Sequence, residues 1–170
     1  MPPMQPDAAK AVLVTGAAKR IGRAIARALA EDGWAVAIHY RTSKADAETL
    51  MHEIAAGGGR AALVQGDLEN FADVTRLVTA AAEDLGPLTC LINNASEFLH
   101  DSIADLDEST WNRHLDINLK APVFLAQALA RALPAGSTGN IVNVIDQRVL
   151  KLAPDFFSYT ISKSALWTAT

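Results

Sequence analysis

The sequence predicts a three-layer α/β/α domain built on a doubly wound parallel sheet, and three observations predict it. Short apolar runs alternate with amphipathic stretches along the chain, the order expected when each strand joins a parallel neighbour through a crossover helix. The runs are continuously apolar rather than alternating, as in strands buried on both faces. The first run, Ala11-Val12-Leu13-Val14, passes straight into Thr15-Gly16-Ala17-Ala18-Lys19-Arg20-Ile21-Gly22 and a helix. Such a turn aims backbone N–H groups and the positive end of a helix dipole at an anion.

Each element has its own signal. The first strand is expected over 11–15. The helix over 20–32 follows from Ile21, Ala24, Ile25, Ala28 and Leu29 at helical spacing, with Gly33 as its stop. A second strand over 35–40 and a helix over 44–56 lead to Gly57-Gly58-Gly59, read as the turn into a strand over 61–65. Val74, Leu77, Val78, Ala81 and Leu85 form one apolar stripe on a helix over 71–85. A fourth strand over 88–93, one long helix over 108–133, a fifth strand over 140–145 and a helix over 156–170 complete the pattern. The last residues, Ser164 to Thr170, stop without a glycine or proline terminator, so a fragment or an incompletely represented protein is expected.

Length and composition narrow the classes. With 170 residues, 50% of them hydrophobic, the chain fits one domain over 10–170. Met1 to Ala9 holds three prolines and no long apolar run, so a disordered tail, not a signal peptide or membrane anchor, is expected, with a cytoplasmic location. A net charge of −4 without a basic run argues against nucleic acid as the main partner. Cys90 is the only cysteine, which rules out an intrachain disulfide; it reads as a buried structural thiol. No metal site is expected.

Tyr159 and Lys163 stand four residues apart, so on a helix the phenol and the ammonium project from one face. A tyrosine with a pKa of about 10 transfers protons poorly at neutral pH unless a cation stabilises the phenolate, and Lys163 could be that cation. A solvated surface pair is the alternative. Asn118 has a backbone argument: Pro122, four residues on, lacks the N–H that would bond the Asn118 carbonyl, leaving it able to hold a water. A kink for packing is the competing explanation.

Together the glycine turn and the Tyr159/Lys163 pair resemble the short-chain dehydrogenase/reductase family, with its Thr-Gly-x-x-x-Gly-x-Gly turn and Tyr-x-x-x-Lys pair. Gly66-Asp67-Leu68, Asn93-Asn94-Ala95 and Asn118 continue the family's motifs in order from about Lys10 to the last residue. The resemblance implies a Rossmann fold and an oxidoreductase, with further C-terminal strands and a substrate loop beyond those read here. It also implies a nicotinamide cofactor held by Gly16, Ile21, Gly22, Asp67, Leu68, Asn94, Ala95 and Lys163, and a water chain from the Asn118 carbonyl to Lys163. Asp67 would accept from the adenine amino group; its alternative role is a cap for the helix beginning near Phe71. Pairing through the helices over 108–133 and 156–170 implies a homodimer or homotetramer. Phe124, Leu125, Leu129, Leu166 and Trp167 read as apolar surface available for it.

Departures from the family pattern carry the finer expectations. Enzymes specific for NAD end the second strand with an acidic residue, whereas this chain reads His39-Tyr40-Arg41-Thr42-Ser43. Arg20 replaces the second glycine of the turn. Two guanidiniums and nearby hydroxyls suit a 2′-phosphate, so NADPH is the expected cofactor; solvated surface arginines are the alternative. Where most of the family has a serine, this chain has Asp146. A carboxylate would repel a developing alkoxide, but it can accept hydrogen bonds from a heterocycle.

With the Arg20 turn, the His39-Tyr40-x-x-Ser43 strand end and Asn94-Ala95-Ser96-x-Phe98, Asp146 makes the chain similar to pteridine and dihydromonapterin reductases. That resemblance implies that Phe98 stacks on a pterin and that Ser96 and Arg20 touch pterin or phosphate, beside Asp146 and Tyr159. Ordinary loop packing is the other reading of Phe98. The expected function is NADPH-dependent reduction of a pterin-like small molecule. The competing functions are a carbonyl or 3-ketoacyl-type reductase and a non-catalytic NADPH sensor.

Overall fold

A computed structural model describes residues 10–170; the tail expected over 1–9 lies outside the described residues. Five strands, β1 (Ala11–Val14), β2 (Ala35–Tyr40), β3 (Ala61–Gln65), β4 (Cys90–Asn93) and β5 (Asn140–Asn143), form one sheet in the order β3-β2-β1-β4-β5. All four neighbouring pairs are parallel. The helices are α1 (Arg20–Glu31), α2 (Lys44–Ala56), α3 (Phe71–Leu85), α4 (Glu108–Leu115), α5 (Ala121–Ala132) and α6 (Phe157–Thr168). The doubly wound α/β fold read from the sequence is therefore the one observed.

The continuous apolar runs have a direct cause. In β1, Ala11 and Leu13 join a core with α3 and α5 that includes Leu77, Leu91, Leu125 and Leu129. Val12 and Val14 point the other way, into a core with Ile38, Leu50 and Ile54. Successive strand residues face opposite sides, so both must be apolar when both sides are covered. Strand order reverses between β1 and β4, and in open parallel sheets this switch point opens a crevice at the carboxyl ends of the strands.

Four expectations need correction. β5 was expected to be covered like the other strands, yet Ile141 and Val142 are 38% and 41% exposed; among the described residues it pairs with β4 alone, at the sheet edge. The single helix over 108–133 is instead α4, a π-helical turn over Asp116–Lys120 and α5. Pro122, in the first turn of α5, has no N–H to continue the α pattern, and the Ala121 N–H bonds the Asp116 carbonyl five residues back. Leu125, Leu129 and Leu166, expected as surface, are core residues, and Phe124 packs partly buried against that core; only Trp167 of that set is exposed. Finally, α3 is capped by Asn70, whose side chain accepts from the Ala72 N–H, rather than by Asp67.

Candidate active site

A cleft of about 640 Å³ opens at the carboxyl ends of the strands. It is lined by all the residues expected in the site except Asn118, which is buried behind it. One end is built from main chain. The β1–α1 turn approaches β4 so closely that a Cβ on Gly22 would lie 2.3 Å from the Gly16 carbonyl oxygen and 2.5 Å from Asn94 Nδ2. Gly16 has φ of +62°, a conformation glycine adopts without penalty.

Arg20 also has a positive φ, +53°. The family pattern places a glycine there for that conformation, so Arg20 holds a left-handed backbone at a cost of about 1–2 kcal/mol. Its side chain is exposed at the cleft, while neighbouring Lys19 and Arg23 pair with Asp46 and Glu53 at 3.0 and 2.7 Å. No acidic side chain lies in the first turn of α1, so the positive end of that helix faces the cleft without an internal counter-charge.

Several expected contact residues turn out to hold the turn in place. Thr15 Oγ1 accepts from the Asn94 and Ala95 N–H groups, each at 3.0 Å, and Asn94 Nδ2 donates to the Thr15 carbonyl at 2.9 Å. His39 is buried, with Nδ1 accepting from the Gly16 N–H at 3.0 Å and Nε2 lying 3.1 Å from the Gly66 carbonyl. That pattern requires the neutral tautomer with hydrogen on Nε2. Burial pushes the His39 pKa down to about 4, against a smaller opposing effect of the Gly66 hydrogen bond.

Beyond β2, Ser43 stands at the N-terminus of α2 with its hydroxyl not engaged in a cap. Arg41 faces the cleft and lies 3.5 Å from Glu69. Asp67 Oδ1 accepts from the Glu69 N–H at 3.0 Å, an Asx turn in place of the helix cap that was its alternative role.

The other end is built from side chains. Tyr159 and Lys163 lie on α6, both buried. The Tyr159 hydroxyl donates to Asp146 Oδ2 at 2.9 Å, and Asp146 Oδ1 accepts from the Arg148 N–H at 2.8 Å. Lys163 Nζ donates to the Val144 carbonyl at 2.9 Å and lies 6.0 Å from the centre of the Tyr159 ring. Lys163 was expected to favour the phenolate, but the groups around the phenol act the other way. Burial first, then the hydrogen bond to Asp146 and its charge, hold the Tyr159 pKa above its ordinary value, while the Ser96 hydroxyl opposes them. Burial pushes the Lys163 pKa down to about 8.

Phe98 packs edge-to-face with Tyr159 at 4.6 Å and stacks on Phe156 at 4.1 Å with 2° between planes. Phe98 lines the cleft and Phe156 backs it. Asn118 Nδ2 donates to the Glu97 carbonyl and to Ser162 Oγ, both at 3.0 Å, while Oδ1 accepts from the Glu97 N–H at 2.8 Å. The Asn118 side chain therefore ties the Ser96–Phe98 segment to α6. Sequence reading missed this role, along with Thr15, Phe156, Ser162 and Glu97; only Thr15 lay in a motif that could have pointed to it.

This fold and this paired Tyr159/Lys163 site define a class, and the short chain dehydrogenase family model matches residues 10–170. The chain belongs to the short-chain dehydrogenase/reductase family. Its structure is similar to that of FolM alternative dihydrofolate reductase 1 from Brucella suis in complex with NADP, with a TM-score of 0.92 and 50% identity, covering 95% of this chain and 67% of that one. In sequence it is 37% identical over 157 residues to an uncharacterised oxidoreductase of Methylorubrum extorquens, covering 92% of this chain and 62% of that protein. It is also 33% identical over 135 residues to a 3-oxoacyl-[acyl-carrier-protein] reductase of Staphylococcus aureus, covering 79% and 55%. The chain thus spans about three fifths of the length of such curated relatives.

Proposed function

We infer that the protein reduces a flat, pterin-like heterocycle with NADPH, using Tyr159 as the proton donor. The observation that carries this reading is the Tyr159–Asp146 hydrogen bond at 2.9 Å. A carboxylate at the phenol is unsuited to an alkoxide forming in the same place, but it can accept from the amino group and ring N–H of a pterin. Phe98 at the cleft wall supplies an aromatic face for such a ring. The Brucella protein described as a dihydrofolate reductase supports the substrate class.

The chain's groups fit a phosphorylated dinucleotide. The turn N–H groups and the α1 N-terminus suit the pyrophosphate, and Arg20, Arg41 and Ser43 suit the 2′-phosphate. His39, Asn94 and Gly22 support that surface. Asp67 and Leu68 would serve the adenine, and Lys163 would hold the nicotinamide ribose, by family resemblance. When bound, the cofactor supplies hydride. Tyr159 stays protonated through the neutral range because of its surroundings and releases its proton only as charge develops on the substrate. Lys163 carries its charge below about pH 8 and offsets the charge left on Tyr159. The carbonyl of Asn118, which Pro122 cannot bond, would hold a water to replenish the proton, as in the family.

The test is Asp146→Ser in the full-length protein, assayed with dihydrobiopterin, dihydrofolate and a ketone panel. Pterin reduction should fall at least tenfold while ketone activity persists or appears. A uniform loss on all substrates with a lower Tm would make Asp146 a structural cap for the turn over Gln147–Val149 and defeat the pterin reading. Likeness to 3-oxoacyl reductases favours the second reading, a carbonyl reductase, and predicts wild-type preference for the ketones. No helix among the described residues is long and apolar enough to cross a membrane, consistent with the small-molecule enzyme proposed. A homo-oligomer using α4, α5 and α6 is proposed from the family relationship; a monomer by light scattering at micromolar concentration would refute it.

A further inference from the structure

Helix α6 carries Tyr159 and Lys163, yet it begins without a cap of its own. Its N-cap residue, Phe156, makes no side-chain cap hydrogen bond and has a left-handed backbone, φ 53° and ψ 48°. A helix start leaves N–H groups without internal partners, and burying them unpaired costs free energy. Their partners come from a distant loop. The Phe157 N–H donates to the Asp101 carbonyl at 3.3 Å. The Ser158 N–H donates to both carboxylate oxygens of Asp101, each at 3.2 Å and 57 residues away in sequence.

The joint continues inward. Ser158 Oγ also hydrogen-bonds Asp101 Oδ2, and His114 Nδ1 lies 2.6 Å from Ser158 Oγ. The Leu99 N–H donates to His114 Nε2 at 3.0 Å, so Nε2 is the bare nitrogen and Nδ1–H donates to Ser158 Oγ. The Ser158 hydroxyl proton then points at Asp101. Asp101 is 3% exposed, and His114 and Ser158 are fully buried. None of the three lines the cleft.

We propose that Asp101 is a positioning residue: it caps the catalytic helix from the segment that bears Ser96 and Phe98, and so fixes Tyr159 relative to the substrate wall. Tyr159 directly follows the capped Ser158, so slack at the cap becomes displacement of the phenol. The strained Phe156 belongs to the same joint. It is pinned between the Phe98 ring at 4.1 Å and the Arg148 guanidinium 4.7 Å from its centroid. Proton donor and aromatic wall therefore move as one body, and misplacing one by an ångström lowers the rate without touching the cofactor end.

The inference rests on Tyr159 being the proton donor, and the experiment separates the two ideas. Asp101→Ala, Asp101→Asn, Tyr159→Phe and a distant core control, Leu50→Ala, are compared in the full-length protein well below Tm. Asp101→Ala should lower kcat ten- to hundredfold, enlarge the solvent deuterium isotope effect on kcat and leave the NADPH Kd within twofold. Asp101→Asn retains an acceptor for the Ser158 N–H and should recover most of the rate. Should Asp101→Ala not fold, Ser158→Ala, which keeps the N–H and loses the hydroxyl, should give a three- to tenfold loss with the same isotope signature. Unchanged kcat, or a loss no larger than that of Leu50→Ala with no change in isotope effect, overturns the positioning role. An active Tyr159→Phe enzyme overturns the proton-donor reading on which it stands.

Discussion

At the β1–α1 turn the cleft meets main chain: peptide N–H groups, a helix terminus and glycines that a Cβ would push apart. At α6 it meets side chains, Tyr159, Asp146 and Phe98, each held by partners from other segments. The contrast is one of tolerance. A main-chain surface is fixed by close approach and fails when atoms are added, whereas a side-chain surface fails when a single polar atom is removed.

The sharpest way to break the contrast is to remove one oxygen. Tyr159→Phe should lower kcat about a thousandfold, within the range for a general acid, and leave the NADPH Kd nearly unchanged. A near wild-type rate in a stopped-flow assay would remove the phenol from the chemistry. Adding one carbon at the other end comes next. In Gly22→Ala the new Cβ meets the Gly16 carbonyl at 2.3 Å, so the turn must open. A loss of about 3 kcal/mol in stability by denaturant titration, with NADPH binding weakened at least tenfold, is expected.

Acid should strain both ends, since burial holds His39 at the turn and His114 in the α6 joint below the ordinary imidazole pKa, and His39 reports on the main-chain end. The His39 pKa is about 4 in the fold and about 6.5 in an unfolded chain, so the unfolded state binds more protons between these values. Stability from His39 is thus fully present above about pH 6.5 and is lost as pH falls through 4. Urea titrations across that window should show a fall to which His39 contributes up to about 3 kcal/mol, and His39→Gln should remove that share. The smallest effect concerns strain. Arg20→Gly relieves a positive φ and should raise stability by about 1 kcal/mol, while narrowing the preference for NADPH over NADH. Arg41→Asp should narrow that preference at least tenfold without the gain in stability, as cofactor titrations can check.

The same contrast explains what the sequence revealed. Strands buried on both faces leave continuous apolar runs, so β1, β2 and β4 were legible. The turn from Thr15 to Gly22 is contiguous and so leaves a motif. The Asp101, His114 and Ser158 joint draws on three separated segments, and nothing in the one-dimensional pattern brings them together. Leu125 and Leu129 were misread as surface because helical spacing reports a stripe without saying which neighbour covers it. The break in the long helix was half legible: Pro122 signalled a missing N–H, but not that a wider turn would absorb it.

That wider turn makes chain length itself a determinant. A π-helical turn holds one more residue than the α-helix on either side can accommodate. Deleting a single residue within Asp116–Lys120 would let the turn revert to α geometry with α4 and α5 nearly in phase, because the wider turn fits five residues where an α-helix fits four. His114 would keep its place beside Ser158, but Asn118, inside the turn, would lose the aim that joins it to Glu97 and Ser162. The one-residue surplus thus sets the aim of a single side chain without disturbing the helices on either side, a coding element that substitution scanning alone would overlook.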